Sequence, residues 1–413
     1  MKRVPAALAV AVMLAAGPAR AGEDPLDPER FEWSALPNLA WIDDYGLILG
    51  GNAMMARFSP RHDPYEWRIY VVVSFSLKKW REKIDVVQQR YYVDLDFPDV
   101  IEDRLWLHAH AEFFSIPTAG WYGIGQSAAY DPPPGSSGTY YRFERIMPWA
   151  QVDARLQLAG GWEILFGLGF HYMQISTYRG SKLDEDASLG LPGREGPLPG
   201  LEKHALVELA AGIQLDTRDN RHNPLGGRYH QLALRWSPGP LTGTDHHFGG
   251  VTAFLSWFEP IAGPALLLAA RVYADMLFGD PPFYEMSFAG AFPFIDMPGG
   301  SRAIRGVPVG RLHGGVKLMA NVELRSFFWR FSLGKHRFVV GAAAFFDVGR
   351  VWSWWGRWDE HDDTPRVLAF GTGAGLRIQW GETFLIRLDA AYSPEAGEGD
   401  VPIALYFDAS HHF

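Results

Sequence analysis

"ALVELAAGIQLD", residues 205–216, places apolar side chains at every second position. Ala205, Val207, Leu209, Ala211, Ile213 and Leu215 share one face, while Glu208, Gln214 and Asp216 lie on the other. The same period returns in "VKLMANVELR" (316–325), where Val316, Leu318, Ala320, Val322 and Leu324 oppose Lys317, Asn321, Glu323 and Arg325. In "FLIRLDAAY" (384–392), Phe384, Ile386, Leu388, Ala390 and Tyr392 oppose Arg387 and Asp389. A period of two means strand. Alternation over ten or more residues outruns the usual soluble strand and suits one tilted across a bilayer. The charged faces then turn into a lumen, because one Arg or Lys on the lipid side at mid-depth costs about 2–4 kcal/mol. The competing architecture is a soluble periplasmic or secreted β-sandwich.

Such segments recur along the chain, and about sixteen strands are expected, an even number as single-chain bacterial barrels require. They run from Leu36–Ile42 to Val401–Phe413. Connections after odd strands are long, as at 179–202, 277–314 and 353–365, whereas those after even strands shrink to "GG" (160–161) and "GE" (381–382). Outer-membrane barrels show this asymmetry, with the short turns periplasmic. Aromatics at 14% of residues against 21% charged supply the interfacial girdles of such a barrel, and no stretch after the N-terminus reaches the roughly 18 apolar residues of a membrane helix. The fold class expected is an all-β transmembrane antiparallel barrel.

The N-terminus sets the compartment. Lys2 and Arg3, an apolar run from Val4 to Ala16, and Ala19-Arg20-Ala21 have the order of a cleavable signal peptide over residues 1–21. Residues 22–35 form a short periplasmic segment, and 36–413 the barrel, placed in the outer membrane of a diderm (Gram-negative) bacterium. The chain has no cysteine, which removes disulfide scaffolds, thiolate metal sites and cysteine nucleophiles. Loss of residues 1–21 takes the net charge from −9 to −12 and argues against nucleic acid as a partner.

Several landmarks, in order, resemble the BamA/TamA-like barrels of outer-membrane assembly and secretion, the bacterial surface antigen family. "DTRDNRHNPLGG" (216–227) is similar to the family's periplasmic turn, with Asp216, Pro224 and Gly227 in place. Arg305-Gly306 in the long loop resembles its V-R-G-aromatic motif, with Val307 where the aromatic belongs, which weakens the expected loop packing. "FFDVG" (345–349) resembles its F-x-D-x-G strand, and "GTGAGLR" (371–377) and "LYFDASHHF" (405–413) complete the set. Phe407 and Phe413 lie on the terminal strand that carries the assembly signal. The chain shows no POTRA repeats, so the resemblance implies a POTRA-less member and leaves room for a separate periplasmic adaptor.

Phe345, Asp347 and Gly349 share the lumenal face of their strand, and Gly371, Gly373 and Gly375 leave the next one bare. Glycines in a strand invite close approach by another backbone. Loop 277–314 is therefore expected to fold into the lumen against this wall, with Arg305 paired to Asp347 and Gly306 turning the chain.

Three functions fit. The first is assistance of protein or lipid insertion or translocation through a weak seam between the first and last strands. The second is a passive or gated channel, or a structural barrel plugged by the loop. The third, an enzyme, rests on His108, His110 and Glu112, which share a face and could ligate zinc. These read more naturally as polar lumen lining, and neither an enzyme nor a cofactor is expected. "DHH" (245–247) is expected at the interface. The partners expected are outer-membrane lipids including lipopolysaccharide, and the outer-membrane assembly machinery during biogenesis.

Overall fold

In a computed structural model of the chain, the alternating segments pair into one closed antiparallel ring. The structure describes residues 29–408 apart from 60–61, 102–103, 127, 129–131, 137, 189–195, 222, 264, 293–294, 335, 355–367, 381–383 and 396–401. The first half of the ring is β1 (Arg30–Ile42), β2 (Gly46–Ser59), β3 (His62–Trp80), β4 (Lys83–Phe97), β5 (Leu105–Gly120), β6 (Arg142–Gln157), β7 (Trp162–Thr177) and β8 (His204–Asp216). The second half is β9 (Gly227–Ser237), β10 (Phe248–Pro260), β11 (Leu266–Gly279), β12 (Val316–Leu333), β13 (His336–Trp352), β14 (Ala369–Trp380), β15 (Phe384–Tyr392) and β16 (Ile403–Asp408). Neighbours in sequence are neighbours in space, and β16 returns to β1.

Alternation sorts the side chains as expected. On β9, Leu232, Leu234 and Trp236 point out, while Gln231, Ala233 and Arg235 are buried inside. On β12, Leu318, Val322 and Leu324 face out, while Lys317, Asn321, Glu323 and Arg325 are fully buried. Arg81 and Glu82, both at positive φ, close the tight turn between β3 and β4, the backbone a two-residue hairpin needs.

Two boundaries differ from the sequence reading. β1 starts at Arg30, so residues 30–35 belong to the wall and not to a separate periplasmic segment. Phe31, Trp33 and Ala35 continue the strand's alternation, and Pro37 sits opposite Gly51 inside one continuous ladder that its neighbours hold on both sides. At the other site β11 runs on to Gly279, pairing it with Phe248, so the inserted loop is 280–315 instead of 277–314. The N-terminal 28 residues and Phe413 lie outside the described residues.

The long connections gather on one rim. There a five-residue helix, α1 (Lys182–Asp186), is capped by Ser181 and buries Leu183. Trp121 of the β5–β6 connection donates to Asp186 at 3.0 Å, tying two of these connections together. By the asymmetry of outer-membrane barrels, this rim is extracellular.

Candidate functional site

Among its described residues, loop 280–315 carries only a short 3-10 turn (Phe283–Ser287) and two paired two-residue strands, yet most of them are buried. Backbone groups taken from water need partners. The wall supplies them from side chains that alternation aims inward. Arg235 donates to the Gly290 carbonyl at 2.6 Å, Gln151 to Ala291 at 3.0 Å and Lys317 to Gly314 at 3.1 Å. Arg271 donates to Arg302 at 2.8 Å, Asn321 to Ala303 at 2.9 Å and Arg387 to Ser301 at 3.2 Å. The loop returns apolar side chains: Met297, Ala303, Ile304, Val307 and Leu312 pack on Tyr273, Met319, Val351 and Ala369. Val307, which stands where the family pattern has an aromatic, is fully buried here, so the smaller side chain has not opened the contact.

Arg305 is at the centre and wholly buried. Its Nε and Nη2 grip the two carboxylate oxygens of Asp347 at 2.7 and 2.9 Å, and its backbone N–H donates to the same group at 3.1 Å. Nη1 reaches Glu323 at 2.5 Å and Asp389 at 3.0 Å, and the guanidinium lies 3.4 Å over the Phe345 ring. Arg325, Arg377 and Arg387 share two of these acids: Arg325–Glu323 at 2.7 Å, Arg377–Asp389 at 2.5 Å and Arg387–Asp389 at 3.7 Å, while Arg387 also reaches Asp408 at 3.1 Å. The loop tip is thus held by strands β12 to β16. Glu323→Gln keeps shape and deletes charge among three guanidiniums. It is expected to lower the unfolding midpoint in detergent by the equivalent of about 3–5 kcal/mol; an unchanged midpoint would mean Asp347 and Asp389 suffice.

The other residues singled out in the sequence fall around this centre. Gly306, at φ +92°, donates its N–H to Tyr406 at 2.9 Å, and a Cβ there would press on Ser393. Gly349 leaves the space that the Ile304 side chain enters. The three wall glycines do not act alike. At Gly371 a Cβ would overlap the carbonyl oxygen of Arg305, whereas Gly373 makes room for the Phe345 ring and Gly375 for Asp389 and Arg377. Only the first touches the loop backbone; Gly167 on the opposite wall does similar service for Phe292.

On the other rim, Asp216 ends β8 and binds Arg218 at 2.8 Å, and Gly227 opens β9 at φ +99°. Between them runs the turn containing Pro224, from which Asn223 reaches Gln379 of β14 at 3.0 Å and Arg221 reaches Glu163 of β7 at 3.5 Å. The turn therefore spans the short-turn mouth from wall to wall. Phe407 faces Trp41 across the β1–β16 closure.

His110 lies 2.6 Å from Asp94 and 3.1 Å from Glu112, which also takes Arg90 at 2.8 Å; His108 lies 3.3 Å from Asp94. Each of these side chains has a protein partner. His246, expected at the interface, is instead buried against Glu202 at 2.9 Å. The sequence reading also missed Glu323, Asp389 and Tyr406 as partners of the loop. Glu323 and Asp389 carried the one available signal, charge on an inward face.

A closed ring of sixteen strands, with an apolar outside, unequal rims and a charged lumen holding an Arg-Gly loop, defines an outer-membrane β-barrel. Residues 149–413 match the Omp85 superfamily domain, and the chain belongs to the Omp85 superfamily, whose barrels lie in the outer membrane of Gram-negative bacteria. In fold it is similar to BamA from Haemophilus ducreyi lacking POTRA domains 1-3, with 14% identity, a TM-score of 0.56, and 92% of this chain aligned to 70% of that one. It is also similar to CdiB from Escherichia coli, with 14% identity, a TM-score of 0.55, and 93% of this chain aligned to 62% of that one. The chain thus spans less than two thirds of CdiB. No curated protein matches the chain in sequence.

Proposed function

We propose that this barrel assists insertion or translocation of protein, or of lipid, at the outer membrane, with Arg305 and Asp347 as the latch that holds its loop. The observation that carries this reading is where the loop sits. Gly306 donates to Tyr406 on β16, and three residues later Val309 donates to Asp44 in the β1–β2 turn at 3.1 Å. One loop segment thus braces both sides of the closure at which Ile42 pairs with Tyr406. A latch at that position couples loop release to opening of the ring. Membership of the Omp85 superfamily supports the same role. Signal-directed export of residues 22–413, a lipid and lipopolysaccharide surround, help from the assembly machinery and a separate periplasmic adaptor complete the proposal.

The chain has no cysteine, so a pair introduced at Trp41 and Phe407, opposite each other on β1 and β16, can lock the closure selectively. In proteoliposomes offered an unfolded eight-stranded barrel as client, the oxidised W41C/F407C protein is expected to stay folded and lose insertion. Reduction should restore it. Full insertion by the locked form would overturn seam opening, and steady conductance of the wild-type protein with no insertion would favour a channel.

A further inference from the structure

We propose that Glu202, His204 and His246 form a binding site for a divalent transition-metal ion of the zinc class on the extracellular rim. Glu202 comes from the β7–β8 connection, His204 opens β8, and His246 comes from the β9–β10 connection. Only folding brings the third beside the first two. His246 Nε2 lies 2.9 Å, and His204 Nδ1 4.0 Å, from the same oxygen, Glu202 Oε1. One ligand atom from each residue falls within 4.8 Å of the others. Bonds of about 2.0–2.2 Å around tetrahedral zinc separate its ligands by roughly 3.4 Å, inside the range these atoms span. The set is a neutral-nitrogen pair plus one carboxylate, which suits zinc and leaves a fourth position for water.

The surroundings fit a ligand set. Both imidazoles are buried, their ring centres 4.7 Å apart, while the Glu202 side chain is 61% exposed and offers the ion a way in from solvent. His204 Nε2 lies 2.5 Å from the Tyr284 hydroxyl, on a ring stacked at 14°. With metal on Nδ1, the Nε2–H donates to that oxygen, the outer partner a ligating histidine needs to fix its tautomer. Binding makes His204 exchange its 2.7 Å bond to the Glu202 carbonyl oxygen for the ion.

The consequence is a clamp. Tyr284 belongs to the base of the lumenal loop, where Phe283 also donates to the Pro199 carbonyl at 3.0 Å. An ion at this site joins two extracellular connections to the loop that carries Arg305. The test uses the tag-free folded barrel in detergent, titrated with Zn²⁺ alone, reading stoichiometry by elemental analysis and the unfolding midpoint by heat-modifiable migration. One zinc per barrel and a raised midpoint are expected for the wild type. His246→Ala and Glu202→Gln should each weaken binding at least tenfold and abolish the shift in midpoint, with unchanged migration showing the barrel intact. A variant lacking His411 and His412, the paired histidines near the C-terminus, should bind as wild type does. The proposal fails if no zinc binds, if His246→Ala binds undiminished, or if binding disappears with His411 and His412.

Discussion

Replacing Arg305 by alanine is expected to destabilise the folded barrel by about 3–5 kcal/mol, the range for deleting one partner of a buried ion pair. What survives the deletion sets the size of the loss. Glu323 keeps Arg325 and Asp389 keeps Arg377. Asp347 loses its one ion pair within 4 Å among the described residues and keeps only the longer-range charge of Arg271, although it is fully buried. The cost therefore falls on one stranded carboxylate, with loss of the contact over Phe345 added. Arg305→Lys should recover only a small part, because a single ammonium cannot copy a planar fork bonded to three acids and stacked on a ring. Denaturant unfolding in detergent reads the stability, and trypsin reads the loop, since the buried Arg311 becomes a cleavage site only if the tip leaves the lumen. An alanine variant with the wild-type midpoint and an uncut loop would end the latch.

The ring itself was legible because a membrane strand must repeat its choice of face at every second residue. The alternation of 205–216, 316–325 and 384–392 thus reported both strand and orientation, and the sixteen strands lie in the ring in that order. Start points were less legible. Pro37 reads as a break, yet a ladder with intact neighbours absorbs one missing donor. Inside the lumen the sequence could say that Glu323, Arg325, Arg387 and Asp389 face inward, but not which acid meets which base. That depends on register and on the loop's path, both long-range. Asp389, for example, meets Arg377 because β14 and β15 pair Arg377 with Arg387 and Gly375 with Asp389, leaving the Gly375 side clear for the carboxylate. The grouping of His246 with Glu202 and His204 was illegible for the same reason, since 41 residues lie between His204 and His246 and their rings meet only after β8, β9 and β10 have paired.

Gly371→Val is expected to expel the loop tip without removing any charged residue of the site. The obstacle is backbone: a Cβ at 371 would overlap the Arg305 carbonyl oxygen, and neither the β14 ladder nor the loop can swing aside as a side chain could. Overpacking of this kind costs about 1–3 kcal/mol when the surroundings give way. Here the part free to give way is the loop, because β14 is bonded on both edges, to β13 and β15. Withdrawal of Arg305 then strands Asp347 as the alanine variant does, so the total loss should reach that of Arg305→Ala. A shared cause predicts non-additivity: the double variant should be barely less stable than either single one, well short of their sum. Gly51→Ala on β2 is the control, since a Cβ there comes no closer than 3.5 Å to its nearest neighbour and should leave stability and trypsin protection as they are. If instead the two losses add in full, Gly371 supports only its own strand, and the approach of loop to wall contributes nothing to holding Arg305 in place.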